Sequence, residues 1–431
     1  MASRALPGSH EDTRLRGPTS SGTSFGRAGP LRILLLNYEY PPLGGGAGIA
    51  SAALAQRLAE RGIVVDVVTS RPDGVRDVER QSGLDCVTVA PNLTLYRVRS
   101  RRRGIHQAGF LGAGSYLWSA IPAARKLLRT HRYDIVHIYF SLPTGALIPA
   151  LPLGDIPVVV SLRGSDVPGY DERNPRLVFA HRMLRPLTRW IWRRASRVVP
   201  VCDSLGQLAR DTLPSLEYSV IGNGVDLDLF RPGAPAVVRK PGPVRCLAVG
   251  RLIERKGLGD VLRAWSLLPR GEYLLEIAGG GPQESALRAL SAELGLSADV
   301  LFSGPLSRDE IAARCRSAHM FVLTPYEEAF GNVFAEAIAA GLPVIASNIG
   351  AIPDLVRQGE NGILVQPGDA DAIARAVREL GDDPARRAEI ATRNRARAES
   401  MLSWDTATDA YLSLYAELMA AGTRARTGAA V

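Results

Sequence analysis

Two glutamates, Glu328 and Glu336, are the residues of this sequence best placed to bind a polar ligand. They lie in the stretch FVLTPYEEAFGNVFAEAIAAGLPVIASNI, residues 321–349, which predicts a buried strand, a loop, an Ala-rich helix and a second strand. With residues 330–340 helical, Glu328 lies in the loop and Glu336 in the second helical turn. Carboxylates accept hydrogen bonds from hydroxyl groups and repel phosphates. One ligand containing a sugar, a diphosphate and a ribose would use both glutamates, although surface glutamates on helices are common.

The start of that helix and a second loop are suited to an anion. In doubly wound sheets, ligands bind outside the carboxyl ends of the strands, where N–H groups at helix starts attract negative charge. Arg251 and Lys256 lie in such a loop, GRLIERKG, after the apolar run 244–249. We therefore expect phosphate beside these two cations and beside the helix start, whose residues are Phe330, Gly331 and Asn332.

Two glycine runs follow predicted strands and complete the candidate site. Gly45 and Gly46 belong to the loop NYEYPPLGGGAG, and Gly280 belongs to EIAGGGP. Glycine lets the backbone approach a ligand closely because no Cβ intervenes, but it also marks ordinary tight turns. The sequence alone leaves both readings open.

Polar side chains also follow two strands of the first half. DIVHIYFSLPTG places His137 at one strand end, and SLRGSDVPG places Arg163 and Asp166 after another. Arg163 cannot act as a base, but its guanidinium can clamp a phosphate or a carboxylate. The alternatives are a core histidine bonded to a backbone carbonyl and a surface loop arginine.

Together these motifs resemble glycosyltransferase family 4, the retaining, nucleotide-sugar-dependent enzymes of the GT-B fold. The stretch EEAFGNVFAEAIAAGLPVIAS is similar to the E-x7-E signature of that family. The resemblance implies that Glu328 contacts the transferred sugar and Glu336 the ribose. It also implies that Arg251 and Lys256 bind the diphosphate, faced by the amides of the Phe-Gly-Asn helix start, while the Gly45–Gly46 loop borders the donor phosphate and the acceptor pocket.

The first half departs from the family pattern at two positions. Tyr139 stands where a second histidine of the H-x-H motif is frequent, and Arg163 stands where the histidine of H-G-x-D contacts the donor sugar. An arginine there indicates an altered donor sugar or a charged acceptor.

Apolar runs alternate with amphipathic helical segments along most of the chain, which predicts an α/β protein with parallel sheets. The resemblance implies GT-B: two Rossmann-like, doubly wound domains with a cleft between them. We expect a disordered leader (1–30), an N-terminal acceptor-side domain (31–235), a C-terminal donor domain (236–402), a helix (403–421) that returns to the first domain, and a frayed tail (422–431). The expected strands of the first domain include 31–36, 64–69, 86–90, 135–138, 157–162, 198–202 and 218–221.

Composition narrows the function classes. The 431 residues carry a net charge of +9, and the most apolar stretch, residues 144–162, is interrupted by prolines, so we expect neither a membrane-spanning helix nor a secretory signal and predict a cytoplasmic protein. The four cysteines are scattered singly, which argues against disulfides and zinc and predicts small core residues. No nucleic-acid-binding motif is present, so a nucleic-acid partner is not expected.

Two segments without acidic residues hold much of the basic charge. Residues 97–132 contain nine Arg or Lys and residues 173–197 contain eight. In the second, the spacing puts Ala180, Met183, Leu184, Leu187, Trp190 and Ile191 on one helical face and Arg182, Arg185, Arg189 and Arg193 on the other. One interpretation is a helix packed on the sheet with a solvated basic face. The other is contact with an anionic membrane surface or a lipid-linked substrate.

The sequence therefore predicts a retaining glycosyltransferase that moves a sugar from a nucleoside diphosphate donor to a glycan or lipid-linked acceptor, in cell-surface polysaccharide or glycolipid synthesis. No metal and no cofactor is expected, because cations and amides can stabilise the leaving diphosphate. Two alternatives remain at this point: a nucleotide-sugar 2-epimerase of the same fold, and a non-catalytic GT-B scaffold at a membrane, suggested by Arg163.

Overall fold

Alternating strands and helices build two α/β units in the computed structural model, which describes residues 29–72, 79–101, 109–233 and 242–428. The predicted leader up to residue 28, the domain boundary at 235 and the last three residues of the predicted tail lie outside the described residues.

The first unit contains an eight-stranded sheet with the order β3-β4-β5-β2-β1-β6-β7-β8. The pairs β3–β4 and β4–β5 are antiparallel and the others are parallel. Strands β1, β6 and β7 are mainly apolar and almost entirely buried, because helices cover both faces of the sheet. The strands are β1 Arg32–Leu36, β2 Val64–Ser70, β3 Glu79–Gln81, β4 Leu84–Ala90, β5 Leu93–Val98, β6 Ile135–Tyr139, β7 Val158–Leu162 and β8 Arg197–Pro200.

The helices of this unit are α1 Gly46–Glu60, α2 Gly109–Thr130, a 3₁₀ helix Thr144–Ala150, α3 Pro175–Arg194 and α4 Asp203–Thr212. The strand expected at residues 218–221 is wrong, since this segment forms only an isolated bridge between Val198 and Tyr218.

The second unit contains a six-stranded sheet, parallel in all its pairs, with the order β11-β10-β9-β12-β13-β14. Its strands are β9 Val244–Val249, β10 Tyr273–Ala278, β11 Val300–Gly304, β12 Met320–Leu323, β13 Val344–Ser347 and β14 Gly362–Val365. Its helices are a 3₁₀ helix Glu254–Lys256, α5 Leu258–Ser266, α6 Glu284–Glu293, α7 Arg308–Ser317, α8 Asn332–Ala339, α9 Ile352–Leu355, α10 Ala370–Gly381 and α11 Pro384–Met401.

The last helix, α12 Trp404–Gly428, returns to the first unit and runs past Ala421, where the sequence predicted its end. Tyr411 and Tyr415 are buried in a core that also contains Ile33 and Leu35 of β1. Burying a large apolar side chain contributes about 1.5–3 kcal/mol, so this contact holds residues distant in sequence in one domain.

Candidate active site

Two loops at the carboxyl ends of β9 and β12 form the centre of the site. Gly257, at φ +67°, ends the 3₁₀ helix after β9, and a Cβ at this position would overlap the carbonyl oxygen of Thr324. Only glycine lets the two loops approach this closely. Their contact brings Lys256 to Glu328, with 2.7 Å between Nζ and Oε2.

The Lys256–Glu328 pair is largely removed from solvent, the two side chains being 16% and 14% exposed. The other oxygen of Glu328 accepts a hydrogen bond from the N–H of Ala329. Opposite charges interact more strongly where water is excluded. The charged form of each side chain is therefore stabilised by the other, and removal of either would leave a buried charge without a partner.

Arg251 adds a second cation to the loop after β9. It is exposed, and within the described ranges it forms no ion pair. Partial burial and the neighbouring Arg255 lower the pKa of its guanidinium, and Glu39 opposes this effect. Arg255 pairs with Asp171 and Lys256 with Glu328, which leaves the Arg251 guanidinium without an ion pair in the described part of the chain and available to an anion.

Glu336 lies in the second turn of α8, and its Oε1 accepts a hydrogen bond of 3.0 Å from Nη2 of Arg308. The Arg308 guanidinium also lies over the ring of Phe230, 5.4 Å from its centroid. Sequence reasoning missed Arg308, because nothing in its own helix signals a partner 28 residues away.

The start of α8 faces the first unit. Gly331 caps the helix at φ +86°, and Phe330 is buried. The Asn332 side chain accepts a hydrogen bond of 2.9 Å from Nδ2 of Asn223, and a Cβ on Gly46 would meet the Asn332 amide. The glycine loop before α1 therefore contacts the helix start across the interface between the units.

The other predicted glycines differ in their surroundings. A Cβ on Gly45 would have open space around it, so the backbone there is accessible to a ligand. Gly280 instead packs against Pro305, which gives it a role in packing the loop after β10.

The structure places His137, which the sequence assigned to the catalytic set, in the protein core. The side chain is fully buried, and its ring nitrogens lie 2.7 Å from the Tyr415 hydroxyl and 2.7 Å from the Ser161 hydroxyl. Burial and the nearby Arg163 lower the pKa of His137 well below its usual value. It is a neutral core residue that joins the sheet to α12.

Asp166 is also buried and serves the backbone. Its carboxylate accepts hydrogen bonds from the N–H groups of Ser141 and Arg163, so it fixes the loops after β6 and β7. Each oxygen accepts one of these bonds, so Asp166 positions the two loops, and the catalytic role expected from the sequence stays a prediction.

Arg163 contacts groups of the protein with both of its terminal nitrogens, while its buried Nε has no hydrogen-bond partner among the described residues. Its Nη1 donates to Asn223 Oδ1 at 2.8 Å and its Nη2 donates to the Tyr411 hydroxyl at 3.0 Å. The guanidinium lies 4.3 Å from the centroid of the Tyr139 ring. The two residues that depart from the family motifs, Tyr139 and Arg163, thus pack on each other. Arg163 also binds Tyr411 of α12 and Asn223, which in turn contacts Asn332.

Comparisons with known proteins agree with this geometry. The family described as glycosyl transferases group 1 matches residues 235–397, and the family described as Glycosyltransferase Family 4 matches residues 44–229. Glycogen synthase of Mycobacterium tuberculosis is 30% identical over 402 residues, which span 89% of this chain and 94% of the relative. The chain belongs to glycosyltransferase family 4.

Solved structures show that this family 4 enzyme has the GT-B fold. Sucrose-phosphate synthase from Thermosynechococcus elongatus superposes with a TM-score of 0.75 at 24% identity, covering 91% of this chain and 100% of that one. The Anabaena protein Alr3699/HepE, solved in complex with UDP-glucose, gives a TM-score of 0.65 at 19% identity, covering 91% and 100%.

The described part of this glycosyltransferase contains no helix long and apolar enough to cross a membrane. In the same ranges, no group of three or more His, Cys, Asp or Glu side chains is arranged to hold a metal ion. All four cysteines are free and buried, as the sequence predicted.

We expect the stability of this glycosyltransferase to depend on pH through Glu336. Burial raises its pKa from an ordinary value of 4.5 to about 7, although Arg308 opposes the shift. The folded state therefore holds a proton that the unfolded chain releases, so the stabilisation is complete below about pH 4.5 and is lost as the pH rises through about 7. Thermal melts of the wild type and Glu336→Gln should show a Tm difference that changes across this window.

The exposed Glu293 on α6 supplies the control, because Glu293→Gln makes the same change in a solvated position. A Tm difference between wild type and Glu336→Gln that stays constant from pH 4 to 8 would show that Glu336 does not titrate as proposed.

We expect Arg163→Met to destabilise the enzyme by about 1.5–3 kcal/mol for each charged hydrogen bond that it removes. Urea unfolding measures the loss, and a double-mutant cycle with Tyr411→Phe isolates the bond to α12. The exposed Arg288→Met is the control. If Arg163→Met keeps its stability and loses only donor binding, the clamp predicted from the sequence is the better account.

Proposed function

We propose that this enzyme transfers a hexose from a nucleoside diphosphate sugar to a glycan or lipid-linked acceptor, with retained anomeric configuration, in cell-surface polysaccharide or glycolipid synthesis. The observation that carries the proposal is the Lys256–Glu328 pair beside Arg251, at the carboxyl ends of β9 and β12. It places Glu328, which can accept hydrogen bonds from sugar hydroxyls, next to Lys256 and Arg251, the cations that a departing diphosphate requires.

The chemistry that we assign to these residues is mainly electrostatic. The bond between the anomeric carbon and the diphosphate oxygen breaks, and negative charge develops on the leaving phosphate. Lys256, Arg251 and the N–H groups at the start of α8 stabilise that charge, the kind of contribution that is often the largest in catalysis. The acceptor hydroxyl forms the new bond to the anomeric carbon and gives its proton to the leaving phosphate oxygen. Metal-free transfer remains an expectation of this scheme.

A donor screen tests the proposal directly. Thermal shift with nucleoside diphosphates and their sugars identifies the donor, mass spectrometry detects transfer to candidate glycans, and proton NMR reports the anomeric configuration of the product. Transfer should persist in excess EDTA. A donor that is converted to its 2-epimer without any acceptor would indicate an epimerase instead, and no binding of any nucleoside diphosphate would refute the proposal.

The surface of α2 and α3 supports a membrane-associated acceptor. Both helices contact the 3₁₀ helix Thr144–Ala150, so they lie on the same side of the sheet. On α2, Leu111 and Trp118 are 76% and 84% exposed. A groove of about 680 Å³ beside Trp118 is bordered by Arg125, Lys126 and Arg129. Exposed apolar side chains next to cations are characteristic of interfacial helices.

Helix α3 packs differently from the expectation. His181, Thr188, Ile191 and Trp192 face the core, whereas Met183 and Trp190, which the sequence assigned to the buried face, are 63% and 42% exposed. Periodicity favoured the face of Met183 and Trp190, whereas in the structure Trp192 is buried and its indole N–H donates to the Ser141 hydroxyl after β6. The exposed face of α3 therefore presents apolar and basic side chains together.

We expect the enzyme to sediment with vesicles that contain anionic lipid and less so at high salt. Each cation near such a surface contributes about 1 kcal/mol. Arg185 and Arg189 also donate to carbonyls at the end of α4, so their replacement needs a check by circular dichroism. The variant changes to Gln the four cations Arg182, Arg185, Arg189 and Arg193.

A matched control changes to Gln four arginines of the second unit: Arg288, Arg357, Arg386 and Arg393. It should sediment like the wild type, because it removes the same charge from elsewhere on the protein. Equal sedimentation with neutral and anionic vesicles, or none with either, would favour a soluble acceptor and a packed α3 with a solvated face.

A further inference from the structure

A cavity of about 240 Å³ lies between the two units beside Glu328. From the first unit it is lined by Tyr170 and by Ser204 and Leu208 of α4, and from the second by Glu327 and Ile349. Ser204, Leu208 and Ile349 are only partly buried, so the cavity opens to solvent. Because both units supply its walls, it exists only when they are in contact.

The cavity is separate from the groups that we assign to the nucleotide. Neither Arg251 nor Lys256 lines it, and neither do Gly45, Gly46 or Glu336. Glu328, to which we assign the transferred sugar, is the one of the assigned residues in its wall. A molecule in the cavity would therefore lie next to the reacting sugar and away from the diphosphate.

One wall of the cavity is acidic and incompletely bonded. In the described part of the chain, Oε2 of Glu327 is buried and has no hydrogen-bond partner. Burial, together with Asp171, raises the pKa of Glu327. A buried polar atom without a partner costs about 1–3 kcal/mol, and a hydroxyl group of a ligand would satisfy it. Arg255 and Arg173 oppose the pKa shift of Glu327, and Lys256 pairs with Glu328, so cations balance the charge of this wall. An ionised phosphate or carboxylate still could not satisfy Oε2 of Glu327, because it has no hydrogen to donate.

Several other residues that line the cavity are apolar. They include Leu205 and Leu208 of α4 and Ile349, and Tyr170 contributes an aromatic ring. A sugar ring has the same division, with C–H groups on its faces and hydroxyl groups at its edge. Pockets for drug-sized ligands have volumes of about 300–1,000 Å³, so a cavity of 240 Å³ suits one ring and not a longer glycan.

We infer that this cavity is an acceptor subsite for a single uncharged sugar ring. The hydroxyl groups of the ring donate hydrogen bonds to Glu327, and its apolar face packs on Leu208. The role of this ring as an acceptor rests on the proposed transfer, but the cavity binds the ring whether or not transfer follows. Any negatively charged part of the acceptor lies outside this cavity.

Saturation-transfer NMR with methyl glycosides of neutral hexoses, with and without UDP, tests the subsite. We expect signals from neutral glycosides and none from hexose 6-phosphates. Leu208→Trp fills the cavity and should abolish the signals, and Glu327→Gln should weaken ring binding about tenfold. UDP affinity, measured by calorimetry, reports the nucleotide site separately.

Two variants outside the cavity serve as controls. Leu301→Trp makes the same change in size at an exposed position of β11, and Glu293→Gln makes the same change in charge on α6. Both should keep the signals of the wild type.

Glycoside signals that persist in Leu208→Trp, or hexose phosphates that bind more tightly than neutral glycosides, would overturn the subsite. So would the absence of neutral glycoside signals from the wild type with UDP bound. Failure of the proposed function has a different signature: neutral rings that bind and depend on Leu208, with no nucleoside diphosphate bound and no transfer.

Discussion

Replacing Lys256 by alanine is expected to weaken UDP binding by about 1.5–3 kcal/mol, the range for a hydrogen bond to a charged group, and to lower the transfer rate by about 10²–10³-fold. The ammonium lies 2.7 Å from Glu328 and is mostly buried. Its removal therefore eliminates one cation of the diphosphate site and leaves a buried carboxylate unpaired beside that site. Calorimetry with UDP and steady-state kinetics with the identified donor measure the two effects.

The exposed ion pair between Arg288 and Glu284 on α6 provides the control for Lys256, because Arg288→Ala also breaks a cation–carboxylate contact. Exposed pairs contribute about 0–1 kcal/mol, so this variant should bind UDP and transfer like the wild type. Unchanged UDP affinity in Lys256→Ala would remove Lys256 from the diphosphate site.

Replacing Glu328 by glutamine is expected to lower the transfer rate about as much as Lys256→Ala does. In contrast to Lys256→Ala, it should not weaken UDP binding. The neutral amide accepts hydroxyl hydrogen bonds less strongly than the carboxylate, so we expect transfer to fall by about 10²-fold or more. Lys256 then loses its acidic partner and becomes available to the diphosphate. UDP affinity should stay the same or increase.

Glu284→Gln on α6 is the matched control for Glu328→Gln, and it should leave transfer and UDP affinity unchanged. A loss of UDP affinity in Lys256→Ala, without a loss in Glu328→Gln, would assign Lys256 to the diphosphate and Glu328 to the sugar. A large loss of UDP binding in Glu328→Gln would place this carboxylate on the nucleotide.

Features that depend on neighbours in the chain could be read from the sequence. Most strands follow apolar runs, although β3 is polar and exposed and was not predicted. Helix α8 begins at Asn332, two residues after the expected start at 330, with Glu336 in its second turn as its pattern predicts. The loop Arg251–Lys256 follows a strand, where anion sites of doubly wound sheets occur. Periodicity and strand–loop–helix order are local properties, so no tertiary contact was needed to predict them.

Tertiary structure decided which polar side chains remain available to a ligand. His137 pairs with Tyr415, 278 residues away, and Arg163 pairs with Tyr411, 248 residues away, so both belong to the attachment of α12. Arg308 reaches Glu336 from another helix, and α3 buries Trp192 where its periodicity favoured Trp190. The sequence determined the residues of the Glu328 loop and their order. Hydrogen bonds between distant segments hold His137 and Arg163 in the core, because most buried donors and acceptors are paired and their partners can come from any part of the fold.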